Sequence, residues 1–154
     1  MSQGIIASLA QLRSMVEGIT PKTDPHHGFV GIETGDGQTA SLTDRYLQTR
    51  LFMFEVLGFA TDDGEAGLSG RKRTAINLQV RYDVPQSIGF LQLMMNEDAS
   101  KLIDTLKGPD YVLATSGIVS LIPGSPTGAP ILDETGDPIA FLLNLPFDLL
   151  YLEA

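Results

Sequence analysis

The chain has no cysteine and no tryptophan, and its only two histidines, His26 and His27, stand side by side. Without cysteine there is no disulfide, no thiolate zinc site and no cysteine nucleophile. Adjacent histidines in an extended segment point to opposite sides. With Asp24 they make no convergent zinc set, so no metal is expected. Long apolar runs are also missing. The longest, residues 51–57 and 139–145, are interrupted by Glu55 and Asn144. Both fall far short of the roughly 20 residues that span a bilayer. Met1-Ser2-Gln3 supplies no basic segment, and residues 5–19 mix polar with apolar positions. No signal peptide is expected, and the chain reads as cytosolic or assembled in the cytoplasm, without a membrane partner.

Basic charge is scarce as well. Ten Lys and Arg face 19 Asp and Glu, a formal charge of −9. A field of that sign opposes nonspecific binding to nucleic acid, which depends on neutralising phosphates. The acids Asp36, Asp62, Asp63, Glu65, Asp133, Glu134 and Asp137 fall where turns are expected, and turns favour Asp for local hydrogen bonding.

What is present is a chain of 154 residues with 43% hydrophobic content, enough for one domain, residues 1–154, with its own core. Ile5, Leu9, Leu12, Val16 and Ile19 recur at helical steps and predict a helix over residues 3–19, ended by Gly18 and Pro21. A strand over about 28–34 is closed by Gly35-Asp36-Gly37, a hairpin signal. A longer strand over about 46–60 is apolar on both faces: Phe52, Phe54 and Val56 on one, Met53, Leu57 and Phe59 on the other. Such a strand should be covered on both sides, by core and by a helix or partner. The glycine-rich stretch 61–70 reads as a long arm leading to a strand over 73–84. There Ile76, Leu78, Val80 and Tyr82 alternate with polar residues. The two strands should form an antiparallel pair.

Ser87 is placed to cap a second helix over 87–107, stopped by Gly108-Pro109. Leu91, Met95, Ala99, Leu102 and Leu106 form its apolar stripe. Glu97, Asp98 and Lys101 are placed toward solvent, with Glu97 and Lys101 as a helical ion pair. Met94 and Met95 read as core filler. A β segment, 117–152, completes the chain. Within it residues 123–130 look too rich in proline and glycine for regular structure, and Pro146 should mark an edge, a bulge or a break. The fold class is α+β, an antiparallel or mixed sheet packed by two amphipathic helices, with a long hairpin arm.

No catalytic residue is singled out. Asp62-Asp63-Gly64-Glu65 lacks the spacing of a calcium loop, and Gly35-Asp36-Gly37 lacks the third glycine of a dinucleotide fingerprint. No nucleophile elbow or phosphate-binding lysine loop is present, and no cofactor is expected. The chief candidate is the basic cluster Arg71-Lys72-Arg73 with the acids Asp62, Asp63 and Glu65 beside it. The basic cluster reads either as a solvated strand start or, with these acids in so acidic a chain, as part of a subunit interface, where charge complementarity steers association and fixes register.

The order of elements, with Leu9-Ala10-Gln11-Leu12-Arg13 near the start and Asn77-Leu78-Gln79-Val80-Arg81-Tyr82 running into the second helix, resembles the tail-terminator and neck proteins of long-tailed bacteriophages. That resemblance implies a non-enzymatic virion protein that joins head to tail. It implies a homo-oligomeric ring, usually hexameric, seated between the tail tube protein and the head connector proteins. DNA would pass through such a ring without specific binding, eased by an acidic lumen. A head–tail connector, a stopper or a tail-tube subunit is the nearest alternative. From another class, a small-molecule-binding or hydrolytic α+β domain should show a deep sheet–helix pocket lined by converging polar groups.

Overall fold

The alternation at residues 74–82 becomes the middle of a strand that organises the molecule. The computed structural model describes residues 4–32, 49–62, 71–83, 88–107 and 117–152. In chain order the elements are α1 (Ile5–Glu17), β1 (Val30–Gly31), β2 (Leu51–Val56), β3 (Thr61–Asp62), β4 (Arg71–Asp83), α2 (Ile88–Leu106), β5 (Ile118–Pro123), β6 (Thr127–Leu132) and β7 (Pro138–Leu152). They form one mixed sheet of seven strands and two helices, an α+β fold.

The two longest strands, β4 and β7, pair antiparallel along their length, from Arg71 opposite Leu152 to Asp83 opposite Ala140. Shorter strands line each outer edge of this ribbon end to end. Along β4 run β2, from Leu51 opposite Arg81 to Val56 opposite Ile76, and then β3, with Asp62 opposite Lys72. Along β7 run β5 and then β6. The expected antiparallel pairing of the strands around 51–59 and 74–82 is therefore found. The first of them stops at Val56 rather than near residue 60, and β3 resumes the ladder after Gly58. β1 runs parallel to β2. The hairpin signal at residues 35–37 and the arm at 63–70 lie outside the described residues.

Period two assigns the two faces of the ribbon. Ile76, Leu78, Val80 and Tyr82 of β4 and Leu143, Leu145, Phe147 and Leu149 of β7 point to one side and are buried. Leu12 and Val16 of α1 and Leu91, Met94, Leu102 and Leu106 of α2 join them in a single core. Both helices thus lie on one face. On the other, Asn77 and Gln79 donate to Asn144 Oδ1 at 3.0 and 3.2 Å, a cross-strand amide cluster.

The helix α1 is shorter at its C-terminus than the spacing predicts. Gly18 closes it by donating its N–H to Ser14 O at 3.1 Å, while Ile19 stays buried just beyond. Two expectations for the last third need correction. Residues 123–130 are regular at both ends, because Pro123 closes β5 and Thr127 already opens β6, leaving a three-residue connection. Pro130 is accommodated because β6 flanks only β7 among the described strands, and an edge strand tolerates a missing N–H.

Pro146 marks neither an edge nor a break in its own strand, since β7 continues through it. Its carbonyl accepts Gly124 N–H at 2.8 Å, so its polar groups face the β5–β6 side rather than β4. The register pairs β5 with residues up to Phe147 and β6 with residues up to Asn144. The absent N–H therefore falls in the gap between the two flanking strands. The break predicted for β7 lies in its neighbours.

This placement makes a contrast between adjacent residues. Leu145→Ala should destabilise the fold by about 2–5 kcal/mol through an unfilled cavity. Pro146→Ala should cost only about 0.4–1 kcal/mol, mainly by loosening the unfolded chain. Chemical denaturation of the two variants measures the difference.

Candidate functional site

Antiparallel pairing gives the ribbon two chemically distinct ends. At one, β4 begins with Arg71, Lys72 and Arg73, opposite Leu152, Tyr151 and Leu150 of β7. On the outer edge, β3 sets Thr61 opposite Arg73 and Asp62 opposite Lys72. Alternation sends Arg71 and Arg73 to the face away from the helices and Lys72 to the helix side. Arg73 is exposed and the other two half-buried. Lys72 and Arg73 each already interact within the chain. The structure thus joins four of the six interface candidates at one corner; Asp63 and Glu65 lie outside the described residues.

The same end carries apolar surface that sequence reasoning assigned to a covered strand face. Leu57 donates its N–H to Ala75 O at 2.9 Å, and Ala75 pairs with Asp148, which pairs with Ile122. These four side chains form one row across the sheet on the face opposite the helices. Leu57 is 53% exposed, Ile122 49%, and the nearby Phe59 is fully exposed. Between Leu57 and Ile122, over Pro146 and Gly124, lies a depression of about 150 Å³. The apolar pattern of Met53, Leu57 and Phe59 was legible in the sequence. In the isolated chain, Leu57 and Phe59 remain uncovered.

At the opposite end the β6–β7 turn is acidic and tightly hydrogen-bonded. Asp133 Oδ1 accepts the backbone N–H of Thr135 and of Asp137, both at 2.9 Å, and Asp133 N–H donates to Asp137 O at 2.8 Å. Gly136 takes φ +88°, which closes the turn at no side-chain cost. Leu132, just before it, is 54% exposed.

Between these ends, the helix layer is locked to the sheet by a buried polar cluster. Arg50 is fully buried and donates through Nε and Nη2 to the two carboxylate oxygens of Asp98, at 2.8 and 3.1 Å. Its remaining N–H groups reach Asp24 O, His27 O and Thr23 O at 2.7, 3.0 and 2.7 Å. All five guanidinium donors are used. Tyr82 Oη donates to Asp98 Oδ2 at 2.6 Å, and the guanidinium lies 5.6 Å from the Phe29 ring centroid. Burial, reinforced by the Asp98 carboxylate, pushes the Tyr82 hydroxyl pKa well above its ordinary value.

The position of Asp98 corrects the expectation that it faces solvent; it is 2% exposed. Met94 and Leu102 lie one helical turn away on either side, which puts Asp98 inside the buried stripe. Met95 is instead half-buried at the stripe's edge. Glu97 and Lys101, expected as a helical pair, both reach the connector: Lys101 Nζ donates to Thr20 O at 2.6 Å, and Lys22 lies 3.7 Å from Glu97.

Two grooves run along α2. One, about 430 Å³, separates it from the start of β6 and is lined by Met95, Ile103 and Leu143 with Gln92, Asn96 and Thr127. The other, about 960 Å³, follows the connector past Lys22 and Asp104. Both open to solvent, and neither is lined by Arg50, Asp98 or Tyr82. Among the described residues no group of three metal-ligating side chains converges. No helix among them is long and apolar enough to cross a membrane. Searches of known protein families and of curated proteins find no match for this sequence.

The buried cluster yields two expectations. Asp98→Ala, which strands the Arg50 charge, should cost about 3–5 kcal/mol in thermal or chemical denaturation. Because the folded-state pKa of Tyr82 is raised, its contribution is complete below the ordinary tyrosine value near 10 and is lost as pH rises beyond it. Wild-type stability should therefore fall more steeply above about pH 10 than that of Tyr82→Phe, by up to roughly 1.4 kcal/mol per pH unit. Equal slopes in alkaline denaturation would remove this role for Tyr82.

Proposed function

We propose that this chain is a non-enzymatic structural protein of a phage neck or tail. In this reading it is a ring-forming subunit of tail-terminator type that caps the tail tube and joins it to the head connector. The observation that carries the reading is the one-sided sheet: helices cover one face, while the other bears uncovered apolar residues beside a basic corner. A chain working alone would leave Leu57, Phe59 and Ile122 in water at a cost in stability and solubility. A subunit gains that surface back on assembly. The element order that resembles terminator and neck proteins supports the same reading, as does the acidic composition, since a repelling lumen lets DNA slide without sticking.

In a ring, the helix layer and the bare sheet face give each subunit two unlike surfaces, suited to different neighbours. The virion is accordingly the proposed location. The purified protein should form a closed oligomer by light scattering and a ring in negative-stain electron microscopy, and antibody labelling should mark the head–tail junction of intact particles. Pull-down against the tail tube protein and the portal separates a terminator from a connector or stopper. A chain that stays monomeric at high concentration, and does not add to purified tails, would sink the reading.

A further inference from the structure

The two ends of the ribbon differ in charge, and one molecule cannot bring them together. β7 has 15 residues, so at about 3.3 Å per residue its ends lie roughly 45–50 Å apart. The basic end gathers Arg71, Lys72 and Arg73. Asp62 stands opposite Lys72 there, and Asp148 and Glu55 follow further along the bare face, while Arg71 and Arg73 lie nearest the end of the ribbon. The other end presents Asp133, Glu134 and Asp137 on the β6–β7 turn. No Lys or Arg occurs anywhere after Lys107, so nothing in that part of the sequence offsets them.

Each end also carries exposed apolar side chains, Leu132 at one and Leu57 and Ile122 at the other, with Asp148 lining the depression between the latter two. Leu132 is half exposed beside the acids, and the 150 Å³ depression between Leu57 and Ile122 lies on the sheet face that Arg71 and Arg73 share. A cavity of about that volume accepts a benzene-sized group elsewhere, which is enough for one leucine side chain. The hydrogen bonds within the turn hold it in one shape, so little order is lost on docking.

We propose that the basic corner and apolar row of one subunit receive the β6–β7 turn of a second copy of this chain. Leu132 enters the depression between Leu57 and Ile122, and Asp133, Glu134 and Asp137 face Arg71 and Arg73. The contact rests on the ring reading above and specifies it. Two different surfaces meet, so the interface is heterologous, the kind that closes into rings when the rotation per subunit allows. It also alters the role first assigned to the local acids: Asp62 is the strand partner of Lys72 within its own subunit, and the β6–β7 turn of the neighbour supplies the opposing charge.

Sedimentation velocity on the full chain tests this with one variant at each end. Leu132→Ser with Glu134→Lys alters the turn, and Ile122→Ser with Arg73→Ala alters the socket; far-UV circular dichroism checks that both fold. Each alone should associate at least about tenfold more weakly than wild type. Mixed together they should give dimers and nothing larger, because each retains one good surface. Should the socket variant fail to fold, the turn variant suffices, since added to wild type it should cap growth and shorten the oligomers. Association should also weaken as salt rises. Turn variants that assemble as wild type does would overturn this contact and leave the ring reading intact. A wild-type chain that remains monomeric at millimolar concentration and does not join tails would remove both.

Discussion

The Arg50–Asp98 ion pair is the constraint on which the arrangement of layers depends. Arg50 opens β2 by donating its N–H to Arg81 O at 2.6 Å, and its own carbonyl accepts Val30 N–H at 3.1 Å. Its side chain then crosses to α2 and to the connector at residues 23–27. Two strand neighbours, one helix and one loop thus meet at a single residue. Arg50 holds φ +60°, a conformation costing a β-unbranched residue of order 1 kcal/mol or more. It persists because five hydrogen bonds fix the guanidinium. A pair so deeply desolvated adds little net stability over an apolar replacement of the same shape. What it supplies is specificity, since any rotation of α2 would expose two unpaired charges to the core.

With the helices held on one face, the ribbon has to present its other face outward. The strands carrying that face are long, so chemistry placed at their ends is well separated, and the short flanking strands leave gaps where Gly58 and Gly124 fall. Those gaps shape the surface. The first lies beside Leu57 and Phe59, exposed on the bare side, and the second absorbs the missing N–H of Pro146 and shapes the floor of the depression. One local feature, the interruption of the flanking ladders, therefore links the proline in the central strand to the surface proposed for assembly.

Much of this could be read from residue patterns. The alternation of Ile76, Leu78, Val80 and Tyr82 located the central strand and its buried face, because period two is set by backbone geometry alone. The helices were legible from stripes such as Leu12–Val16–Ile19. The amphipathic pattern failed at Asp98, where a carboxylate occupies a core position. Its partner Arg50 is 48 residues away, and nothing local announces such a pairing. Proline was over-read as a breaker at 123–130 and at 146, because the rule concerns the ladder side a residue faces, which only the register reveals. The basic corner was visible as Arg71-Lys72-Arg73. The depression beside it was not, since Leu57, Ala75, Asp148 and Ile122 come from four separate segments that meet only through the pairing of β4, β7 and β5.

The sheet edge bears on how copies of such a chain can meet. β5 and β6 end the described sheet on one side, and an exposed edge invites a strand from another molecule. Here Pro123, Pro126 and Pro130 fall along or between those two strands, and each lacks the N–H that an added strand would bind. Continuous strand addition at this edge is therefore disfavoured. In the proposed assembly, contacts between copies would fall to side chains on the bare face and at the ribbon ends, where charge and shape rather than a backbone ladder would set register. A ladder tolerates slippage by two residues, whereas a leucine in a depression flanked by opposed charges does not. For an assembly that must stop at a fixed number of subunits, the second kind of contact is the better suited.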